Sequence, residues 1–403
     1  MATEYPKRPR PPLFEAQDSW TRPRSTAERE GQVLDPSTAA ASPDPEASTT
    51  TYLSTRLLVS TLIDTSAALD LLRRAADTFH WDVAEDESFG RVQIDSTDQE
   101  RESRIRRYRW ATGTVGLIRL VVTPRDDARA RPPDAWSLLQ TARAMARGQE
   151  LLYGIGLDHV VTVYPHSKSN PHSKSNPHSK SNGALTDAYA EPGTGGRQPV
   201  AFTGRQPHRT ELAPNERANI GFVDTGCGEH PWLDPKFVHD GTFLGPVTPI
   251  GLVKESTNPE LVGDVGGPLD GMLDEASGHG TFIAGLLHQG APDADLWWWR
   301  VAESDGTMAE SDLLVVIARI AHLLRLDQAE GGLRLDVLNL SFGYYHETPV
   351  DAKFDPTFYE LLAAIGRTGT VVVCSAGNDA TTRPMFPAAW SAHEGVERII
   401  SID

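Results

Sequence analysis

Four short stretches of this chain pair side chains that can move or hold protons with glycines that let backbone approach them. Asp224 follows the apolar run Asn219-Ile-Gly-Phe-Val223 and precedes Thr225-Gly226, which sets a carboxylate at the carboxyl end of a buried strand. His279 stands in Ser277-Gly-His-Gly-Thr-Phe-Ile-Ala-Gly285, flanked by small residues and opening a helix-like run expected to pack tightly through Ala284 and Gly285. An imidazole held that rigidly suits a general base, which must lie within hydrogen-bond reach of its proton donor. Asn339-Leu-Ser-Phe-Gly343 ends another strand. Thr370-Val-Val-Val-Cys374 runs into Ser375-Ala-Gly-Asn378, where a side-chain amide at a strand end can donate to an oxyanion. Taken singly, each has a plainer reading: Asp224 as a turn or cap residue, His279 as a helix start, Asn378 as a turn.

The elements that must position these groups read as an α/β domain. Asn219–Val223, Asp295–Val301, Asp336–Leu340 and Thr370–Cys374 are short, nearly continuous apolar runs, and 309–327 carries Leu313, Val316, Ile317, Ile320 and Leu324 at helical spacing. Strands of that kind alternating with helices predict a parallel sheet covered on both faces. In such sheets, sites form beyond the carboxyl ends of the strands, where Asp224, Gly343 and Asn378 fall.

Taken together, Asp224-Thr-Gly, His279-Gly-Thr with Ala284-Gly285, Asn339-x-Ser-x-Gly343 and Ser375-Ala-Gly-Asn378 resemble the subtilisin-like serine proteases (subtilases, peptidase family S8) in order and strand context over about 219–403. The resemblance implies that Asp224 orients the imidazole, that His279 is general base and then general acid, and that Asn378 donates to the oxyanion. It also implies that Ser341, Phe342 and Gly343, with Ser375, Ala376 and Gly377, bind the substrate backbone as an added strand. One departure is large: the family's Gly-Thr-Ser-x-Ala segment is absent. After Asn378 the only serines are Ser391 and Ser401, in no strand-to-helix context of an activated nucleophile, and Cys374 sits inside an apolar strand. The chain is therefore expected to be most of a serine endopeptidase acting on peptides or proteins, without its nucleophile. The alternative is a non-catalytic peptide-binding or regulatory pseudoprotease.

No cofactor or metal is expected. Asp264, Asp270, Asp274 and Glu275, in an inserted loop at 240–275, read as solvated charge rather than a cation loop, because they lack the spacing of a known oxygen-ligand loop. Glu303, Asp305, Glu310 and Asp312 follow the strand 295–301, where the family resemblance places the border of the substrate's N-terminal side; they are expected either to attract basic peptides or simply to be solvated.

A chain of 403 residues exceeds what one core usually fills. Residues 1–55 contain a Pro-rich arm, predicted to be disordered. Strands at 56–63, 91–94, 116–122 and 159–163, a helix after Ser66 carrying Leu69, Leu72, Ala76 and Phe79, and a helix after Pro132-Pro133-Asp134 carrying Trp136, Leu139, Ala142 and Met145 give the order β-α-β-β-α-β over 56–164. That is the order of a ferredoxin-like α+β domain. Many subtilases carry such a domain as a propeptide that assists folding and inhibits the site, so it is a candidate intramolecular partner. Pro-His-Ser-Lys-Ser-Asn, repeated three times from Pro165 to Asn182, opens a linker at 165–214; metal capture by His166, His172 and His178 is the alternative reading. The catalytic-type domain is 215–403. A net charge of −17 disfavours nucleic acid, and no apolar run suits a membrane span. Two cysteines and no signal-type apolar stretch near Met1 predict a cytoplasmic protein.

Overall fold

The computed structural model describes residues 26–38, 47–89, 92–95, 97, 114–126, 130–146, 154–163, 205–210, 212–244, 249–266, 273–348, 356–377, 379, 381–392 and 399–402. The hexapeptide repeats, Asp270 and Asn378 lie outside these.

In the N-terminal half, α1 (Thr26–Glu30) and β1 (Gly31–Val33) precede β2 (Thr51–Ser60), α2 (Thr65–Asp77), β3 (Trp81–Glu85), β4 (Val92–Asp95), β5 (Thr114–Pro124), α3 (Ala135–Met145) and β6 (Ile155–Thr162). The sheet is antiparallel in the order β6-β2-β5-β3, and β4 takes over beside β5 where β3 stops. The sequence reading passed over Trp81–Glu85, a strand with only two inward side chains, Trp81 and Val83. Asp64 caps α2: its Oδ1 accepts the Ser66 and Ala67 N–H groups at 3.1 and 3.0 Å, as an N-cap carboxylate does. Asp134 caps α3 in the same way. Met145 is 47% exposed and does not share the buried face of Trp136, Leu139 and Ala142.

In the C-terminal half, β7 (Asn219–Asp224), β8 (Val238–Asp240), β9 (Asp295–Arg300), β11 (Val337–Leu340), β12 (Val371–Ser375) and β13 (Ile399–Ile402) form a six-stranded parallel sheet in the order β13-β12-β11-β7-β9-β8. Helix α4 (His279–Gly290) packs Ala284 against Phe222 and Leu296 on one face. Helices α5 (Glu310–Leu323) and α6 (Pro356–Arg367) cover the other.

The two halves share a core. Along β2, Leu57 and Val59 point to α2 and α3 while Leu58 points to α5 and α6, the period-two alternation of a strand buried on both faces. Leu58, Val115, Leu117 and Val161 thus pack with Leu313, Ile317, Phe358 and Leu361 in one cluster. The short β10 (Thr307–Ala309), from the loop after β9, leaves the parallel sheet and pairs antiparallel with Val160–Thr162 of β6.

Candidate active site

Two of the sequence-predicted residues meet. Asp224, 1% exposed at the end of β7, accepts the Thr225 N–H at 2.7 Å on Oδ1, and the same oxygen lies 2.7 Å from Nδ1 of His279 at the start of α4. Two glycines make this approach possible. A Cβ on Gly280 would lie 2.0 Å from the Gly226 carbonyl oxygen, and Gly226 has φ +114°, a left-handed value that a side chain would resist. Gly280, not Gly285, is the tight contact of the histidine segment: among the described residues, nothing lies within 4 Å of a Cβ on Gly285. Burial alone would lower the His279 pKa, but the Asp224 hydrogen bond and charge, with the Glu260 charge, outweigh it and raise it. The side chain of His279 stays 13% exposed, and Asp224 Oδ2 is buried with no hydrogen-bond partner among the described residues.

Glu260, which the sequence reading missed, joins this pair. Its Oε1 contacts the Thr225 hydroxyl and accepts the Gly280 N–H at 3.2 Å, and its Oε2 accepts the Thr281 hydroxyl at 2.5 Å. The loop that carries it is anchored by Arg300, whose guanidinium donates to the carbonyls of Leu252, Lys254 and Thr257 at 3.1, 2.8 and 2.7 Å. Of the four acidic residues singled out in the same loop, Asp270 lies outside the described residues. Asp274 Oδ2 accepts the Val265 and Gly266 N–H groups, both at 2.8 Å, a turn-holding role.

The strand-end segments follow β11, which adjoins β7, and β12, one strand further out. Asn339 donates to the Ser341 hydroxyl at 2.8 Å, Phe342 is fully buried, and a Cβ on Gly343 would lie 2.6 Å from the Met385 side chain. Ser375, Ala376 and Gly377 leave β12, with Gly377 at φ +94° against the Met385 sulfur. The acidic stretch after β9 is not an open cationic-peptide site. Glu310 is 2% exposed, Glu303 accepts the Thr26 N–H and hydroxyl, and Asp312 pairs with Arg119. Cys227 and Cys374 are not bonded to each other, and burial pushes both thiols up to about 12, so neither is an activated nucleophile.

A second histidine cluster lies where the two halves meet. His159 of β6, 1% exposed, sits 2.6 Å from Glu310 through Nδ1 and 3.0 Å from Glu347 through Nε2. Glu347 also pairs with Arg143 at 2.9 Å and lies 3.1 Å from His346 Nδ1. Among the described residues, His159, His346 and Glu347 are the group whose donor atoms gather within 4.8 Å, as a metal site requires. A cation there would have to displace the His159 Nε2 proton and share Glu347 with a guanidinium, so the geometry favours a buried ion pair. Burial opposes charge on His159, but the Glu310 charge and hydrogen bond and the Glu347 hydrogen bond raise its pKa to about 10. Glu347 is held well below the usual carboxylate range, its burial outweighed by His346, His159 and Arg143.

The body is a parallel α/β sheet with a carboxylate–imidazole pair at its strand ends, an arrangement that can hold and release a proton. Residues 216–402, a little under half of the chain, match the model of the subtilase family of peptidases. Among solved structures, a serine protease of Staphylococcus aureus that processes the epidermin leader peptide is similar at 16% identity and a TM-score of 0.32, over 77% of this chain and 69% of that one. At that score the likeness carries no argument about function. Comparison with curated proteins returned no match.

Proposed function

We propose that residues 216–402 are the body of a serine endopeptidase, and that residues 56–164 are its built-in folding partner and inhibitor. The 2.7 Å contact between buried Asp224 and His279 carries the first reading. In that role Asp224 holds the imidazole, and His279 takes the proton of an attacking hydroxyl and returns it to the leaving amine. Ser341–Gly343 and Ser375–Gly377 would bind substrate backbone, and Asn378 would donate to the oxyanion.

The attacking hydroxyl, in this reading, comes from outside these 403 residues. Ser391 lies in the 3-10 turn Ala388–Ala392 around buried Trp390, and Ser401 lies in β13, with β12 and β11 between it and β7. Phe282 and Leu286 of α4 stand 60% and 49% exposed, an apolar face that a serine-bearing segment would cover. The test is labelling with a fluorophosphonate probe. The 403-residue chain should not react, whereas the chain supplied with a Gly-Thr-Ser segment, by extension or as a second polypeptide, should label there and lose the label in His279→Ala. Stoichiometric labelling of Ser391 or Ser401 would overturn the reading.

The inhibitor reading rests on what the N-terminal sheet, ferredoxin-like in its strand order, does to the body. Thr162 and Gly343 exchange backbone hydrogen bonds at 3.1 and 3.0 Å, and Val163 N–H donates to the Gly306 carbonyl at 2.9 Å, so an antiparallel strand already occupies the edge a substrate would use. Helix α5 has no side-chain cap of its own. Asp158 of β6 supplies one, accepting the Ser311 N–H and hydroxyl at 2.9 and 2.8 Å. In the first turn of α6, Thr357 donates to the Gly116 carbonyl at 3.0 Å. The Asp158 contact satisfies a helix start that the body leaves open, and the Thr357 contact ties α6 to β5, which is how one unit can promote the folding of another.

A further inference from the structure

We infer that Glu260 is a positioning residue for the Asp224–His279 pair, a second carboxylate that sets the basicity of His279 through the hydroxyl of Thr225. The inference rests on reading that pair as the base of a peptidase.

The hydroxyl of Thr225 has one proton to give and two carboxylates to choose between. Its oxygen lies 3.1 Å from Asp224 Oδ1, contacts Glu260 Oε1, and accepts the Gly280 N–H at 2.9 Å. Because that N–H already occupies a lone pair, the direction of the hydroxyl depends on which carboxylate draws it more strongly. Ionised Glu260 takes the Thr225 proton, and Asp224 Oδ1 is left with the Thr225 N–H and His279. Protonated Glu260 gives its own proton to Thr225, which turns its hydroxyl toward Asp224. No covalent bond changes other than the one O–H that Glu260 gains from solvent; the hydroxyl only reorients. An extra donor on Asp224 dilutes the charge that holds the imidazolium, so both routes by which Glu260 acts, direct charge and relay, move His279 the same way.

The position of Glu260 fits this role better than a purely structural one. It ties together the residue after Asp224 and the two residues after His279, since Thr281 also accepts the Gly228 N–H at 2.6 Å. Its neighbours with charge or titratable groups are Asp224, His279 and Cys227, with Arg300 beside Gly226. Burial and the Asp224 charge favour the neutral acid while the Thr225, Thr281 and Gly280 donors oppose it, and its pKa is raised from the usual value. A proton on this group is therefore cheaper than on an ordinary surface glutamate.

The experiment is an NMR titration of His279 in the full 403-residue chain, with its resonance assigned by difference against His279→Asn. It needs no nucleophile. Glu260→Gln keeps the shape and removes the charge. It should lower the His279 midpoint by about one unit, the scale of a nearby charge. Asp224→Asn is the reference. If Asp224→Asn lowers the midpoint and Glu260→Gln leaves it unchanged, the role of Glu260 is wrong while the pair stands; if neither moves it, the pair itself has been misread. Thr225→Val separates relay from charge: with the hydroxyl gone, Glu260→Gln should retain only part of its shift, and an undiminished shift would remove Thr225 from the mechanism.

Discussion

Two of the imidazoles that the described residues hold against carboxylates, His279 and His159, sit in different surroundings. His279 meets one carboxylate directly, Asp224 at 2.7 Å, and keeps part of its ring open to solvent. His159 meets two, Glu310 at 2.6 Å and Glu347 at 3.0 Å, and is sealed. With both ring nitrogens committed to acids and a pKa near 10, His159 is a fixed cation that cannot exchange a proton near neutrality. The hydrogen bond is common to both sites; the number of acids and the access of solvent separate the pair proposed as a base from a buried clamp. The Asp224–His279 pair sits at the end of β7 and the start of α4, whereas the His159 cluster joins β6 to α5 and the segment after β11.

The strongest way to break the contrast is Glu347→Ala, which leaves His159 and Arg143 buried beside a missing charge. A loss of about 3–5 kcal/mol is expected, as for removing one partner of a buried pair. Urea unfolding should show it as a lower midpoint, with the N-terminal unit releasing first. An unchanged midpoint would mean the cluster does not hold the halves together.

The pH dependence sharpens the contrast. His159 has a folded pKa raised above its ordinary 6.5, so its stabilisation is fully present below pH 6.5 and fades as pH rises toward about 10. Glu347 is depressed, so its share is present above its ordinary 4.5 and lost as pH falls below that. Asp158, raised by burial to about 6, adds a decline as pH climbs from 3.8 toward 6. Melting temperature should therefore be highest on the mildly acidic side of neutrality and fall toward pH 10. His159→Gln should flatten the alkaline limb, and a limb of the same steepness in that variant would assign it to another group.

The smallest expected effect is that of Asp158→Ala, which removes the borrowed cap of α5. It should cost about 1 kcal/mol, the usual worth of an N-cap, and leave the His279 titration unmoved. A shift in His279 would show that clamp and base are coupled.

Much of the body was legible because its chemistry is local. Asp224 needs only the strand before it and Gly226 after it, and His279 needs Gly280, so short windows carry the pair. The strand Trp81–Glu85 was not legible, since two inward side chains give too little periodicity to count. Glu260 was passed over because nothing in its own window, Asn-Pro-Glu-Leu-Val, distinguishes it from its acidic neighbours. His159 read only as the polar start of a strand, and Glu310 as one of four acids on a loop.

The sequence by itself determined the alternation of strands and helices, the order of Asp224 before His279, and the glycines that let those segments touch. Those features depend on backbone conformation and side-chain size within a few residues. Tertiary structure alone decided which carboxylates act together: Glu260 reaches Thr225 across 35 residues, and His159 reaches Glu310 and Glu347 across 151 and 188. Whether a carboxylate is solvated charge, a clamp or a partner to a base depends on burial and on what faces it, and both are set only when distant segments pack.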